Sequence, residues 1–212
     1  MATNSDQPKV FCIGFQKTGT SSLRDALRQL GYSVTGVFGD DLTLEELRNS
    51  YVTQGLSLAA EFDSVEDMPW PLMVRELDRA FPGSKFILTV RKTENWLRSI
   101  CKHFGDNPSD MQRLVYGDDA PNPVGHEDRY VEVYEQHNRD VIAYFDGRES
   151  DFLVMELEAG HGWAELGKFL GRADVPGGPF IHTNRAKDRD TLSYKIRTRL
   201  RKLGLPVRHM AE

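Results

Sequence analysis

The chain has 212 residues, of which 39% are hydrophobic, 10% aromatic and 28% charged, the composition of an ordinary globular protein with one sizeable core. Its two cysteines, Cys12 and Cys101, exclude a disulfide framework and a cysteine-rich metal site. No apolar run is long enough to cross a bilayer, and the N-terminus lacks the pattern of a secretory signal, so we expect a cytoplasmic protein.

The net charge of −5 is unevenly distributed along the chain. Residues 185–208 carry nine Lys or Arg against two Asp, a surplus of +7 that leaves −12 on the rest. The acidity of the whole argues against nucleic acid as a partner, whereas the basic segment suits a small anionic ligand. The same segment also has the pattern of a terminal helix with a solvated basic face.

Short apolar runs alternate with longer amphipathic ones. In chain order, the pattern predicts a strand at 9–15, a helix at 20–30, a strand at 32–37, helices at 41–49 and 70–81, a strand at 85–90, a helix at 93–104, a long loop at 105–125, a helix at 127–145, a strand at 151–157, a helix at 162–170 and a last helix at about 188–203. This alternation predicts an α/β fold with a mostly parallel central sheet and helices on both faces. We expect an N-terminal tail at 1–8 and a single domain at 9–212 that ends in the basic helical segment.

The strongest local signal is the loop GFQKTGTSS at residues 14–22, which follows the first strand and opens the first helix. In such a turn, backbone amides form an anion-binding nest, and the helix N-terminus adds the positive end of its dipole. Gly14 and Gly19 have the spacing of a nucleotide-binding P-loop, but Thr20 stands where the lysine belongs, and the lysine is at position 17. The loop therefore predicts a phosphate site, with a glycine turn capped by hydroxyl residues as the alternative.

A second signal follows the strand at 85–90, where Arg91 stands in place of the acidic residue that a magnesium-dependent nucleoside triphosphatase needs. A residue at the carboxyl end of a parallel strand faces the ligand crevice, so Arg91 can offer its planar guanidinium to a phosphate near the first loop. Ser99 lies eight residues later in the next helix. Together the two signals predict recognition of two phosphates without a metal ion.

Three segments together resemble one known family, the sulfotransferases that use 3′-phosphoadenosine 5′-phosphosulfate (PAPS). They are KTGTSS at 17–22, FILTVRKTENWLRS at 86–99 and GWAELGKFLG…VPGGPFIHTN at 162–184, and the similarity runs over most of the chain. The resemblance implies a P-loop NTPase-like sulfotransferase architecture. It also implies transfer of a sulfuryl group from PAPS to a hydroxyl or amine of a small-molecule or glycan acceptor, with no metal.

The resemblance also implies roles for single residues. Lys17 is expected to stabilise the leaving phosphate, and Arg91 and Ser99 to bind the 3′-phosphate. Thr18, Gly19, Thr20, Ser21 and Ser22 are expected to hold the 5′-phosphate, and Gly14 and Gln16 are expected to be further cofactor-binding residues of the loop. Arg185 and Lys187 are candidates for a further cationic contact to the nucleotide.

The general base is less well marked in the sequence. Asp67 stands where the cytosolic sulfotransferases that it resembles have their catalytic histidine, but an ordinary Asp has a pKa of about 3.9, too low for a base near neutrality. Burial beside Trp70 and repulsion by Glu66 are expected to raise it. The alternatives are that Asp67 caps the helix at 70–81, or that His103 is the base. His137 is expected to be a core histidine.

Two other functions remain open from the sequence. One is a divergent P-loop kinase or nucleotide hydrolase, which requires magnesium and ATP. The other is a non-catalytic module that keeps the fold and binds a nucleotide without turnover. The sequence leaves the acceptor unidentified, since loops such as 36–60 and 105–126 shape its site.

Overall fold

Five short parallel strands form the central sheet of the computed structural model, which describes residues 7–183. The strands are β1 (Val10–Cys12), β2 (Val34–Thr35), β3 (Ser64–Val65), β4 (Lys85–Val90) and β5 (Phe152–Glu156), in the spatial order β2-β3-β1-β4-β5. All four neighbouring pairs are parallel. The parallel sheet predicted from the sequence is confirmed, and β1, which carries the predicted phosphate loop, lies at its centre.

Seven α-helices connect the strands within the described residues: α1 (Thr20–Gln29), α2 (Leu44–Glu61), α3 (Val74–Ala80), α4 (Thr93–Phe104), α5 (Asp110–Tyr116), α6 (Glu127–Tyr144) and α7 (Trp163–Leu170). Single 3-10 turns occur at Trp70–Met73 and Leu157–Ala159. Alternate side chains of β1 point to opposite faces of the sheet. Val10 and Cys12 pack with α1 and α7, whereas Phe11 packs with α2, α3 and α6. Helices therefore cover both faces, as predicted.

The domain prediction for residues 9–212 reaches beyond the described part of the chain. Residues up to Ile181 form one compact unit, and only His182 and Thr183 of the second unit are described. The helix expected at 188–203 and the basic segment 185–208 lie outside the described residues. None of the helices within residues 7–183 combines the length and the apolar character needed to span a bilayer.

The sequence prediction contains no strand at β3 (Ser64–Val65), and two further elements differ from it. The segment 105–125, predicted as a loop from its prolines and aspartates, contains α5, whose first turn is capped by Ser109 Oγ accepting from Gln112 N at 3.1 Å. The helix predicted at 41–49 runs on to Glu61 through Gly55, a residue that weakens helix propensity. Gly55 leaves room for the end of the Met73 side chain, which would lie 2.6 Å from an added Cβ. Tertiary packing overrides local propensity at this point.

We expect Gly14→Ala to be among the most destabilising substitutions in the described chain. An added Cβ would lie 2.1 Å from Thr89 Oγ1 and 2.5 Å from Thr89 O, so relief requires movement of the β4 backbone. Overpacking of this kind costs about 3 kcal/mol of unfolding free energy, measurable by urea denaturation. Gly177→Ala is the control, since nothing lies within 4 Å of its added Cβ. Equal stability of the two variants would contradict the packing seen at Gly14.

Candidate active site

The first helix begins without a cap of its own. Gly19, at φ 110°, is its N-cap residue, and no side chain caps the helix or places a carboxylate in its first turn. Each of the other six α-helices within residues 7–183 has an acidic residue in its first turn. The first turn of α1 thus supplies no carboxylate of its own to the positive end of the helix dipole, which suits an anionic ligand.

Carbonyl groups of the loop are held by the protein interior. The Phe15 carbonyl accepts from Thr18 Oγ1 at 2.6 Å, and the Gln16 carbonyl accepts from Trp96 Nε1 at 3.0 Å. The Ile13 carbonyl bonds to His137 Nε2 at 2.8 Å. Because C=O and N–H point in opposite directions across a trans peptide, inward carbonyls turn the following amides outward. The amides that follow these carbonyls are thus turned away from the protein interior.

His137 is the core histidine that the sequence predicted. Its ring stacks on Phe15 with 4.4 Å between centroids, and burial lowers the pKa of the imidazole to about 4 despite the hydrogen bond to Ile13. The ring is therefore neutral near pH 7 and donates from Nε2 to the carbonyl. Through this bond and the stacking on Phe15, His137 holds the start of the loop in place.

Lys17 and Asp67 share an uncommon backbone conformation. Each has φ 72°, and they are the two non-glycine residues with positive φ within residues 7–183. Bulky side chains avoid this left-handed region, and residues held there cluster at functional sites. The two residues proposed from the sequence for the chemistry are thus the two that the fold holds under backbone strain.

Asp67 lies in the turn that follows β3, half-buried, with its Oδ1 accepting from Met68 N at 2.9 Å. Desolvation first, and then the charge of Glu66, raise the pKa of Asp67 to about 7, although the Met68 amide and the charge of Lys17 act in the opposite direction. The alternative role as a helix cap is not observed, because Pro69 precedes the 3-10 turn without a side-chain cap. Asp67 therefore has the pKa that a base near neutrality requires.

Glu66 connects this turn to the first helix. Its side chain is buried, and its Oε1 lies 3.4 Å from Arg24 Nη1 of α1. Thr20 of the loop also bonds to it, and burial raises the pKa of Glu66 despite both contacts. Its Oε2 has no hydrogen-bond partner within residues 7–183. The sequence indicated Glu66 only as a neighbouring charge, whereas the structure places it between the loop and Asp67.

The guanidinium of Arg91 comes close to the first loop, as the sequence predicted, but it is already paired with an anion. Arg91 Nε donates to Glu158 Oε1 at 2.7 Å, and Asn95 Nδ2 donates to Glu158 Oε2 at 2.8 Å. Arg91 Nη1 also lies 3.5 Å from the Lys17 carbonyl. Ser99, half-buried, follows Asn95 by one turn of α4. Nothing in the sequence marked Glu158, since it lies more than 60 positions from Arg91.

The remaining candidates have simple placements. Thr18, Thr20 and Ser22 are buried and Ser21 is half-buried, whereas His103 is exposed in the last turn of α4 with its ring edge against Phe104. Arg185 and Lys187 lie outside the described residues. No group of three or more His, Cys, Asp or Glu side chains in residues 7–183 is arranged to hold a metal ion.

An aromatic cluster beside the loop was not recognised from the sequence. Tyr116 is fully buried and stacks on Tyr130 with 3.6 Å between centroids, and its hydroxyl lies close to the Gln16 side chain of the loop. Burial raises the pKa of Tyr116, and Asp67 is close enough for its charge to contribute. Tyr116 also lines a surface cavity of about 520 Å³ that Gly125 and other residues of the α5–α6 connection enclose.

The sulfotransferase domain matches the chain over residues 9–121 and 110–189, which is most of its length. One curated relative, Ava biosynthesis cluster protein M of Aspergillus versicolor, is 35% identical over 107 residues, covering 43% of this chain and 41% of the relative. The chain thus spans about two fifths of that relative's length. With the domain match over both predicted phosphate-binding segments, the chain belongs to the sulfotransferase domain family.

Proposed function

We propose that the protein transfers a sulfuryl group from PAPS to a hydroxyl or amine of a small-molecule or glycan acceptor. The observation that carries this proposal is the pair Lys17 and Asp67, both left-handed and each within range of the other's charge. A cation beside an anion-binding loop and a carboxyl group with a pKa of about 7 are the two groups that such a transfer needs.

The residues of the loop fit the phosphate side of PAPS. The uncapped amides at the start of α1 and the hydroxyls of Ser21 and Ser22 donate to the 5′-phosphate, whereas the hydroxyls of Thr18 and Thr20 bond to the Phe15 carbonyl and to Glu66 and hold the loop in place. Lys17 stabilises the negative charge that develops on the leaving phosphate. Arg91 and Ser99 bind the 3′-phosphate. PAPS supplies the activated sulfuryl group when bound.

Asp67 acts on the acceptor side. Its carboxylate accepts the proton of the acceptor's O–H or N–H as attack proceeds, and its raised pKa makes it a stronger base than an ordinary aspartate. His103 is the weaker candidate because its exposed ring contacts Phe104 at the end of α4. The cavity beside Tyr116 is our candidate for the acceptor entrance, since Tyr116 connects it to Asp67.

A thermal-shift comparison tests the proposed nucleotide. We expect 3′-phosphoadenosine 5′-phosphate, the product of PAPS, to raise the melting temperature, because a ligand at 100 times its Kd adds about 2.7 kcal/mol of stability. Arg91→Ala should lose most of this shift, whereas Arg79→Ala, an exposed arginine in the last turn of α3, should keep it.

The same comparison distinguishes the other functions. Stabilisation by ATP and magnesium without any by the 3′,5′-bisphosphate would indicate a kinase or nucleotide hydrolase instead. Binding of the bisphosphate with no sulfate transfer to a panel of phenols, alcohols and amines would indicate a non-catalytic module.

A further inference from the structure

We propose that Glu158 competes with the 3′-phosphate of the nucleotide for Arg91 and thereby sets the affinity for nucleotides that carry this phosphate. The inference rests on the proposed function, because it assigns the 3′-phosphate to that guanidinium. Its consequence is that only a nucleotide with a 3′-phosphate can replace the carboxylate at Arg91. A nucleotide that lacks this phosphate leaves the ion pair intact.

The contacts of Glu158 are those of a bound anion. Its Oε1 accepts from Arg91 Nε at 2.7 Å and lies 2.5 Å from Arg91 Nη2, while its Oε2 accepts from Asn95 Nδ2 at 2.8 Å. The two oxygens of this carboxylate thus bind the donors of Arg91, at the end of β4, and of Asn95, on α4. These are the donors that face the position proposed for the phosphate, next to Ser99 on the same helix.

The pair is placed where an incoming ligand can reach it. The side chains of Arg91 and Glu158 are 27% and 34% exposed, so exchanging one anion for another does not require the core to open. Burial alone would raise the pKa of Glu158, but the hydrogen bonds from Arg91 and Asn95 outweigh it and lower the pKa. The carboxylate is therefore charged at neutral pH and remains a competitor there.

The segment that carries Glu158 also touches the phosphate loop. Glu158 belongs to the 3-10 turn Leu157–Ala159, which follows β5 directly. Leu157 Cδ1 lies only 2.5 Å from the position that a Cβ on Gly19 would take, so the turn packs against the start of α1. The residue that pairs with Arg91 is thus held beside both halves of the proposed nucleotide site.

A dianionic phosphate has an advantage over this carboxylate. It carries more charge and offers more acceptor oxygens to the guanidinium, whereas an exposed arginine–carboxylate pair is only weakly stabilised in water. A bound phosphate and a neighbouring ionised Glu158 also repel each other. If the carboxylate moves away, its ion pair with Arg91 is lost, and if it stays, its charge repels the 3′-phosphate. In both cases Glu158 lowers the affinity for the 3′-phosphate.

Calorimetric titration of Glu158→Gln tests the proposal. With 3′-phosphoadenosine 5′-phosphate we expect an affinity about two- to fivefold higher than in the wild type, because the competing charge is removed. With adenosine 5′-phosphate, which has no 3′-phosphate, we expect no change. Glu158→Ala should give the same pattern as Glu158→Gln, a gain for the bisphosphate and no change for adenosine 5′-phosphate. Glu132→Gln, which removes an arginine-paired carboxylate from α6, should change neither affinity.

Three outcomes would overturn the proposal. A loss of bisphosphate affinity in Glu158→Gln would show that the carboxylate positions Arg91 for the nucleotide. An equal gain for both nucleotides would show a general charge effect, and a gain that persists when Arg91→Ala is added would show that Glu158 does not act through Arg91. Failure of the proposed function itself looks different, since the wild type would then bind ATP and magnesium in preference to the bisphosphate.

Discussion

Asp67→Asn is expected to lower the rate of sulfuryl transfer by about 10²–10⁴-fold while the affinity for 3′-phosphoadenosine 5′-phosphate stays nearly constant. Asparagine is a well-matched replacement because it tolerates the left-handed conformation, and its carbonyl oxygen can still accept from Met68 N. The rate is measured as bisphosphate released from PAPS with an acceptor found in the panel. The wild-type rate should rise as the pH rises through about 7, and the variant should lack that rise.

The same substitution has an effect on stability that can be measured without an acceptor. Folding raises the pKa of Asp67 from its ordinary value to about 7, so between about pH 4 and pH 7 the folded chain binds this proton more tightly than the unfolded chain. Its contribution to stability is present at low pH and is lost as the pH rises through that window. The stability of Asp67→Asn relative to the wild type should therefore increase from pH 4 to pH 7, by at most about 1.4 kcal/mol per pH unit.

Urea denaturation at a series of pH values gives this difference. Asp146→Asn, which removes an exposed carboxylate just beyond α6, is the matched control and should show no such trend. Unchanged transfer at every pH in Asp67→Asn would exclude Asp67 as the base and direct attention to His103.

Lys17→Gly should separate catalysis from stability. Removing the cation is expected to lower transfer by about 10²–10³-fold, because charge on the leaving phosphate is then no longer stabilised. Glycine adopts φ 72° without steric cost, so relief of backbone strain offsets the added entropy of the unfolded chain. The unfolding free energy should stay within about 1 kcal/mol of the wild type.

Lys17→Asn is the companion variant, since asparagine also tolerates the left-handed region but restores a polar side chain. We expect it to be as inactive as Lys17→Gly and to bind the bisphosphate with modestly reduced affinity. Full activity in either variant would mean that the cation acting on the leaving phosphate lies elsewhere. A large loss of stability in Lys17→Gly would mean that the lysine side chain holds the loop.

The sequence predicted those parts of the candidate site that are formed by contiguous residues. Glycine spacing, a strand before it and a helix after it are contiguous features, so the loop at 14–22 and the end of β4 could be found by pattern alone. Asp67 was found by resemblance, and the sequence already indicated burial and Glu66 as causes of a raised pKa, but how far its carboxyl group is desolvated depends on the fold. Its left-handed backbone, shared with Lys17, has no signature in residue type.

Long-range pairings account for what the sequence could not provide. The bond between Arg91 and Glu158 joins the ends of two neighbouring strands, and no periodicity indicates which carboxylate reaches which arginine. α5 was missed because prolines and aspartates on both sides concealed a helix of seven residues. The extension of α2 was missed because Gly55 weakens the local pattern where Met73 packs against it.

Tyr134 and Trp96 connect the end of β4, at Arg91, to the phosphate loop at Gln16. The Tyr134 hydroxyl bonds to both the amide and the carbonyl of Arg91, at 2.9 and 2.8 Å, and its ring stacks on Trp96 with 4.1 Å between centroids. Trp96 in turn holds the Gln16 carbonyl. The separation of the two proposed phosphate positions is thus set by two aromatic rings. Natural selection for the length of a ligand would act here on two rings that need not contact a phosphate themselves. Because Tyr134 lies outside both phosphate-binding motifs, the motifs alone would not record it.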